Sequence, residues 1–433
     1  MLTFSPSLPR RVPRSETQSP AGALSLPHNF LWTLAGNITY MGCQWGMLVV
    51  LAKLGSPEML GRFALAFALT APVFQFSGLQ LRGLQATDAR SQYLFGEYLG
   101  LRLITVCLSL VAVAGICLAV GYRSEVLLIA LLVAAAKGFE AVSDVYYGRM
   151  QLAERMDGIA KSMIWKGGVS LAALASTIAV TGSLAWGVTM LAASWLAMLI
   201  FYDVPRARQV TVPANPAELR PRFPAQRLQS LAVRALPLGF VMLLLSLQAN
   251  IPRYVLERQL GEGALGIFAA LAALMVAGNA VVNALGQSAL PRLAVFAAGD
   301  QKREFGRLAG RLLAVAAGLG MIGMGVSWVA GRQFLALVYS TEYAAHANTF
   351  RWLMAAAAAS YFWSFLGVTL TALQEFRLQM FLQAATAALC AILSIVLVQR
   401  FGLPGAGFAV FGTMLFGMAS YAIVLGRWFG LHR

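Results

Sequence analysis

Apolar runs of twenty residues or more succeed one another from Phe30 almost to the end of the chain, with only short polar breaks between them. As a helix, each run is long enough to cross the hydrocarbon core of a bilayer. A backbone placed there must satisfy its own amides, which leaves only helices or a closed barrel. Twelve such runs are legible, at about 30–54, 60–81, 97–121, 125–148, 160–181, 184–203, 235–256, 264–288, 308–330, 347–373, 378–399 and 404–427. With 59% hydrophobic and 12% charged residues, the chain has no composition for a water-soluble surface. The reading is an all-α polytopic membrane protein of twelve transmembrane helices, which excludes a soluble catalytic module.

An even number of crossings puts both termini on one side, and the basic residues say which. Arg10, Arg11 and Arg14 precede the first run, and Arg149, Arg155 and Lys161 follow the fourth. Arg292, Lys302, Arg303 and Arg307 follow the eighth. Such an excess marks cytoplasmic loops, so the net charge of +16 has a membrane explanation and no nucleic acid is expected. The expected organisation is a disordered cytoplasmic tail over 1–29, a six-helix bundle over 30–203, a linker over 204–234, and a second six-helix bundle with a short cytoplasmic tail over 235–433. The linker alternates Pro205, Pro213, Pro216, Pro221 and Pro224 with six arginines, a composition for a mobile segment attractive to anionic membrane lipids.

An internal repeat supports this division. LGSPEMLGRFALAFAL from Leu54 returns as LGEGALGIFAALAAL from Leu260, so that Gly61, Phe63 and Ala64 match Gly266, Phe268 and Ala269. A fainter echo sets Met150 and Gln151 beside Leu373 and Gln374. Two bundles in the same membrane orientation, related by a pseudo-twofold axis along the membrane normal, would hold a substrate between them.

No catalytic constellation is visible. Cys43, Cys107, Cys117 and Cys390 lie in apolar runs without metal or disulfide spacing, and His28, His346 and His432 are far apart. Glycines 318, 320 and 323 match a dinucleotide fingerprint but lack the preceding strand, so they read as helix packing. Neither a metal nor a cofactor is expected. The fourth run is the unusual one: Lys137, Glu140, Asp144 and Tyr147 share one helical face, and ionisable groups inside a membrane point at a bundle interior or a watery cavity. A structural Lys137–Glu140 pair is one reading; a cavity wall with Glu140 and Asp144 as ion-coupling carboxylates is the other. Polar stripes accompany it: Asn37, Tyr40 and Gln44 on the first run, Gln75 and Arg82 on the second, and Asn279, Asn283 and Gln287 on the eighth. Lys166, Arg102 and Arg253 add positive charge within or near the bilayer. More lumen cations than carboxylates favour an anionic substrate, because phosphate oxygens need Arg or Lys donors once out of water.

The segments KLGSPEMLGRFALAFALTAPVFQFSGLQLRGLQATDAR and NIPRYVLERQLGEGALGIFAALAALMVAGNAVVNALGQSALPRLA resemble the Wzx-type oligosaccharide flippases, within the MOP superfamily that also holds MATE-type multidrug exporters and lipid II flippases. The resemblance implies a MATE-like V-shaped pair of bundles that opens alternately to either side. It also implies a polyprenyl-pyrophosphate-linked oligosaccharide substrate, turned over in the bacterial inner membrane for O-antigen or exopolysaccharide synthesis beside a polysaccharide polymerase. A cation-coupled small-molecule exporter of the same superfamily is the alternative. A membrane-embedded polymerase or ligase is a third, disfavoured by the short outer loops.

Overall fold

The computed structural model describes residues 25–88, 92–122, 124–209 and 220–430. The expected tail before Ser25, the middle of the linker and the last three residues lie outside the described residues. Among the described residues the chain is all helix and turn. In order the helices are α1 (Leu26–Leu54), α2 (Pro57–Gly78), α3 (Leu81–Thr87), α4 (Phe95–Val120), α5 (Ser124–Leu152), α6 (Met156–Thr181), α7 (Leu184–Met198) and α8 (Val204–Gln209). They are followed by α9 (Ala225–Ala298), α10 (Lys302–Val329), α11 (Gly331–Val338), α12 (Thr341–Ala344), α13 (Ala347–Ala372), α14 (Phe376–Phe401) and α15 (Leu403–Gly430).

Ten helices among the described residues are long and apolar enough to cross a membrane. One of them, α9, has 74 residues and is far too long for a single crossing. It reverses at Gly261, whose φ of 84° and ψ of −177° are open to glycine alone, so it crosses twice. With α1, a 29-residue helix carrying the polar stripe, the crossings number twelve, as the sequence predicts. This is a multi-pass membrane protein of two six-helix lobes. We call the membrane face that holds Leu26 and Gly430 the terminal face and the other the outer-loop face.

Three departures from the sequence reading have local causes. The second crossing does not run unbroken to residue 81: Leu79 and Gln80 are left-handed in succession (φ 50° and 49°) and turn the chain from α2 into α3. Two non-glycine residues in this region cost about 1–2 kcal/mol each, and buried Leu79 anchors the break. The segment 204–234 is also ordered at both ends. Five residues of π-helix, Leu199–Asp203, carry α7 into α8, and Ala225 already belongs to α9. The backbone N–H of Arg222 donates to Gly96 O at 2.8 Å, and Arg227 pairs with Glu97, so the approach to the second lobe is strapped to α4 of the first. Third, the fainter repeat is three residues out of register. Helices α5 and α13 end at Leu152 and Ala372, and each is followed two residues later by a left-handed residue, Glu154 (φ 55°) and Gln374 (φ 62°). Equivalent positions in this part of the lobes are therefore 220 apart, not the 223 that matches Gln151 to Gln374.

The stronger repeat is a contact. Helix α2 crosses the second half of α9 at the outer-loop face with almost no separation. A Cβ on Gly61 would lie 1.8 Å from Glu262 O, and one on Gly266 would lie 1.9 Å from Pro57 O and 2.8 Å from Gly61 N. The two repeat glycines thus meet across the pseudo-twofold, as small residues do where membrane helices approach closely. Arg62 fastens the crossing, with Nε 2.7 Å from Glu262 and Nη1 2.5 Å from Glu125. The outer-loop face is closed here.

Candidate functional site: a charged cavity in the first lobe

A cavity of about 390 Å³ opens in the half of the first lobe nearer the terminal face, between α1, α2, α3, α4, α5 and α6. The α5 face foreseen from spacing forms its floor: Lys137, Glu140, Asp144 and Tyr147 all line it. Tyr40 reaches it from α1, Gln75 from α2, Arg82 from α3, Arg102 from α4 and Lys166 from α6. The left-handed turn at Leu79 and Gln80 lets Arg82 enter, since it re-aims the chain after the last turn of α2.

Each cation has a definite partner. Lys137 Nζ donates to Glu140 Oε2 at 2.8 Å, while Tyr40 Oη donates to Glu140 Oε1 at 2.7 Å. The same ammonium lies 5.3 Å from the Phe67 ring centre and 5.4 Å from that of Trp195, so aromatic faces carry part of its charge. Lys137 and Glu140 are thus paired with each other and both line the cavity. Arg82 donates through Nε to Gln151 at 2.9 Å and through Nη1 to Asp144 at 3.3 Å. Arg102 differs. It is only 3% exposed, its nearest carboxylate oxygen is Asp144 Oδ2 at 3.8 Å, and its Nε has no hydrogen-bond partner. Two guanidinium groups therefore share one carboxylate, and the buried one is poorly served.

Lys166 is held from behind. Its Nζ donates to Ser143 Oγ and Tyr147 Oη, each at 3.0 Å, and lies 3.4 Å from Asp203 Oδ2. Asp203, fully buried at the end of the π-helical turn, also accepts from Ser143 at 2.6 Å and Ser162 at 2.5 Å. Sequence reading missed Asp203 because it falls at the expected end of a span; the signal was an acidic residue just before the basic VPRAR run. Asp203→Asn leaves the Lys166 charge uncompensated and is expected to cost about 3 kcal/mol, read as a lowered melting temperature of the purified protein. The double variant Lys166→Met with Asp203→Leu should recover that stability. A single variant as stable as the wild type would mean the pair carries no such charge coupling.

The other expected site residues stand elsewhere. Asn37 is exposed and Gln44 half-buried on α1, and neither lines the cavity. Asn279 is half-buried on the second half of α9, where Asn283 and Gln287 are exposed. Arg253 follows Pro252 on the first half of α9 and donates to Asn250 Oδ1 at 2.7 Å, apart from the cavity cations. Among the described residues no group of His, Cys, Asp and Glu is arranged to hold a metal ion.

Comparison with solved structures identifies the fold of this two-lobe bundle, whose charged cavity lies toward the terminal face. The chain superposes on the lipid II flippase MurJ in an inward closed conformation with a TM-score of 0.72 over 92% of this chain and 87% of that one, at 10% identity. An inward-facing multidrug resistance MATE family transporter of the MOP superfamily gives 0.60 over 92% and 94%, at 14% identity. A MOP superfamily transporter from Pyrococcus furiosus, described as having a binding pocket of reverse polarity, gives 0.55 over 93% and 95%, also at 14%. The fold is that of MOP superfamily transporters. In sequence the chain is 26% identical, over 91% of its length and 97% of the relative's, to the capsular polysaccharide biosynthesis protein CapF of Staphylococcus aureus. No protein-family model matches the chain.

Proposed function

We propose that this chain is a flippase for polyprenyl-pyrophosphate-linked oligosaccharides, carrying the headgroup across the bacterial inner membrane by alternating access while the lipid tail stays in the bilayer. The single observation that carries the reading is the unequal charge of the cavity. Arg82, Arg102, Lys137 and Lys166 face it, four cations against Glu140 and Asp144 at the wall and Asp203 behind Lys166, and the Arg102 guanidinium keeps a free donor. A pyrophosphate supplies the acceptor oxygens that this set lacks, and its charge suits two arginines bridged by one carboxylate. The relative in capsular polysaccharide biosynthesis supports a sugar polymer as the destination, and MurJ supports a lipid-linked sugar as cargo on this fold.

With both termini cytoplasmic, the cavity opens toward the leaflet on which repeat units are assembled, and the glycine crossing seals the periplasmic side. Phosphate oxygens that take over Arg82 and Arg102 release Asp144, and those that take Lys137 release Glu140. The freed carboxylates are where a coupling cation would be taken up. The linker arginines favour contact with anionic lipids. Delivery to the polymerase would follow reopening on the periplasmic face. Deleting the gene and labelling the envelope with a membrane-impermeant sugar probe tests this reading. Repeat units trapped on the cytoplasmic face, with surface polymer lost, are expected. Normal polymer with raised sensitivity to cationic amphiphiles would favour the exporter alternative and contradict the proposal.

A further inference from the structure

The second lobe holds a cavity of about 370 Å³ between the first half of α9 and helices α13, α14 and α15. Its α13 and α14 wall is the pseudo-symmetric counterpart of the α5 and α6 wall of the charged cavity. Under the 220-residue correspondence set by Glu154 and Gln374, Asp144 corresponds to Ser364, Tyr147 to Gly367 and Met163 to Gln383, and all three counterparts line this second cavity. The same rule replaces Lys137, Glu140 and Lys166 by Ala357, Ser360 and Thr386. Four of the six charged residues of the first cavity, Lys137, Glu140, Asp144 and Lys166, thus have small neutral counterparts, and one of these, Ser364, lines the second cavity.

The emptied space is not simply apolar. Gln248, more than nine-tenths buried, and Gln383 meet across it, with Gln383 Nε2 donating to Gln248 Oε1. That leaves Gln248 Nε2 and Gln383 Oε1, one donor and one acceptor, without protein partners among the described residues. Both atoms are accessible, so a ligand or water in the cavity can pair with them. Ser364 and Thr413 add hydroxyls. The Trp363 and Tyr421 rings stand edge to face with centres 5.9 Å apart, and both line the cavity beside Gly367. No carboxylate is present, so a hard cation finds neither charge nor a strong oxygen set. Amide donors and acceptors beside flat aromatic surface match instead a neutral polyhydroxylated ring, whose hydroxyls pair with amides and whose C–H face lies on indole or phenol.

We infer that the second-lobe cavity is a binding site for a neutral sugar residue of the cargo, so that the two lobes divide one headgroup between them, pyrophosphate to the first and saccharide to the second. This rests on the flippase reading above. The division gives transport a direct coupling, because a ligand held by both lobes favours the conformations that bring them together.

The test measures binding of two probes to the purified full-length protein in nanodiscs: a polyprenyl pyrophosphate, and the same lipid carrying a neutral disaccharide. Wild type is expected to bind the glycosylated lipid about tenfold more tightly, a gain worth roughly two hydrogen bonds. Gln383→Leu, and independently Ser364→Leu, should cut that preference to about twofold or less while binding of the bare lipid stays unchanged, which also reports that each variant is folded. Equal affinity of wild type for the two lipids, or a preference that survives both substitutions, would overturn the assignment. So would a sodium-dependent stabilisation that is lost in Gln383→Leu and indifferent to sugar, since it would make the cavity a cation site. If neither lipid binds, the flippase reading fails and this assignment goes with it.

Discussion

Arg102→Ala is expected to reduce export of surface polymer at least about tenfold while leaving the protein as stable as the wild type, or more so. Those two outcomes rarely go together. A guanidinium in an ordinary structural ion pair contributes stability when its geometry is good, and its removal strands the partner. Arg102 is buried beside a carboxylate 3.8 Å away, with an unpartnered Nε, and Asp144 keeps Arg82 at 3.3 Å when Arg102 is gone. Truncation therefore removes a buried charge that the folded protein poorly compensates and leaves no new orphan. On the proposed reading, what is lost is a preformed donor for phosphate. Arg102→Lys keeps the charge without the planar fork and should retain part of the activity. Polymer immunoblots alongside melting of the purified protein separate the readings. A large stability loss in Arg102→Ala would make the residue structural, and normal polymer would remove it from the site.

The second large effect is conformational. Gly61→Val and Gly266→Val each put carbon where backbone carbonyl oxygens already stand, 1.8 Å from Glu262 O and 1.9 Å from Pro57 O. No side-chain rotation relieves a clash with backbone. The closed outer crossing should lose about 3 kcal/mol or more, enough to turn a predominantly closed population into a predominantly open one. Transport should then fail because one half of the cycle is missing. A cysteine introduced for labelling at Leu60 or at Leu265, both fully buried beside the crossing, should be slow to react with an impermeant thiol reagent in the otherwise native protein and fast in either valine variant. Gly42→Val and Gly310→Val, where an added Cβ meets nothing within 4 Å, serve as controls and should react slowly. Equal labelling of all the variants would mean that the crossing does not gate the outer face.

Much of this was legible in the chain because membrane helices announce themselves by length and composition. The α5 face was the clearest signal. Four polar or charged residues at helical spacing inside a lipid-length run can face only an interior, and Lys137, Glu140, Asp144 and Tyr147 do so together. The repeat at Leu54 and Leu260 gave the two-lobe plan, but similarity alone could not say that Gly61 and Gly266 touch. That follows from the twofold, which brings equivalent positions near the axis into contact. Other features depend on tertiary relations that no local pattern carries. Asp203 sits on a π-helical turn at a span's end and acquires meaning only through Lys166, 37 positions away. The break follows Gly78, but the two left-handed residues themselves, Leu79 and Gln80, are types that rarely adopt that conformation. The stripe of Asn279, Asn283 and Gln287 has the same periodicity as the cavity face yet lines neither charged nor neutral cavity, and Asn283 and Gln287 are exposed. Charge, costlier to bury than an amide, was the more reliable guide.

The central claim, that the chain moves a lipid-linked oligosaccharide headgroup across a bilayer, is tested most directly by reconstitution. Proteoliposomes would carry a polyprenyl-pyrophosphate-linked oligosaccharide with an oxidisable sugar, and an impermeant periodate quench would report the fraction exposed outside over time. Wild-type protein should bring inner-leaflet lipid to the outer leaflet far faster than protein-free vesicles, and Arg102→Ala should fall back toward the protein-free rate. Wild-type vesicles no faster than protein-free ones, with the protein folded and inserted, would contradict the account.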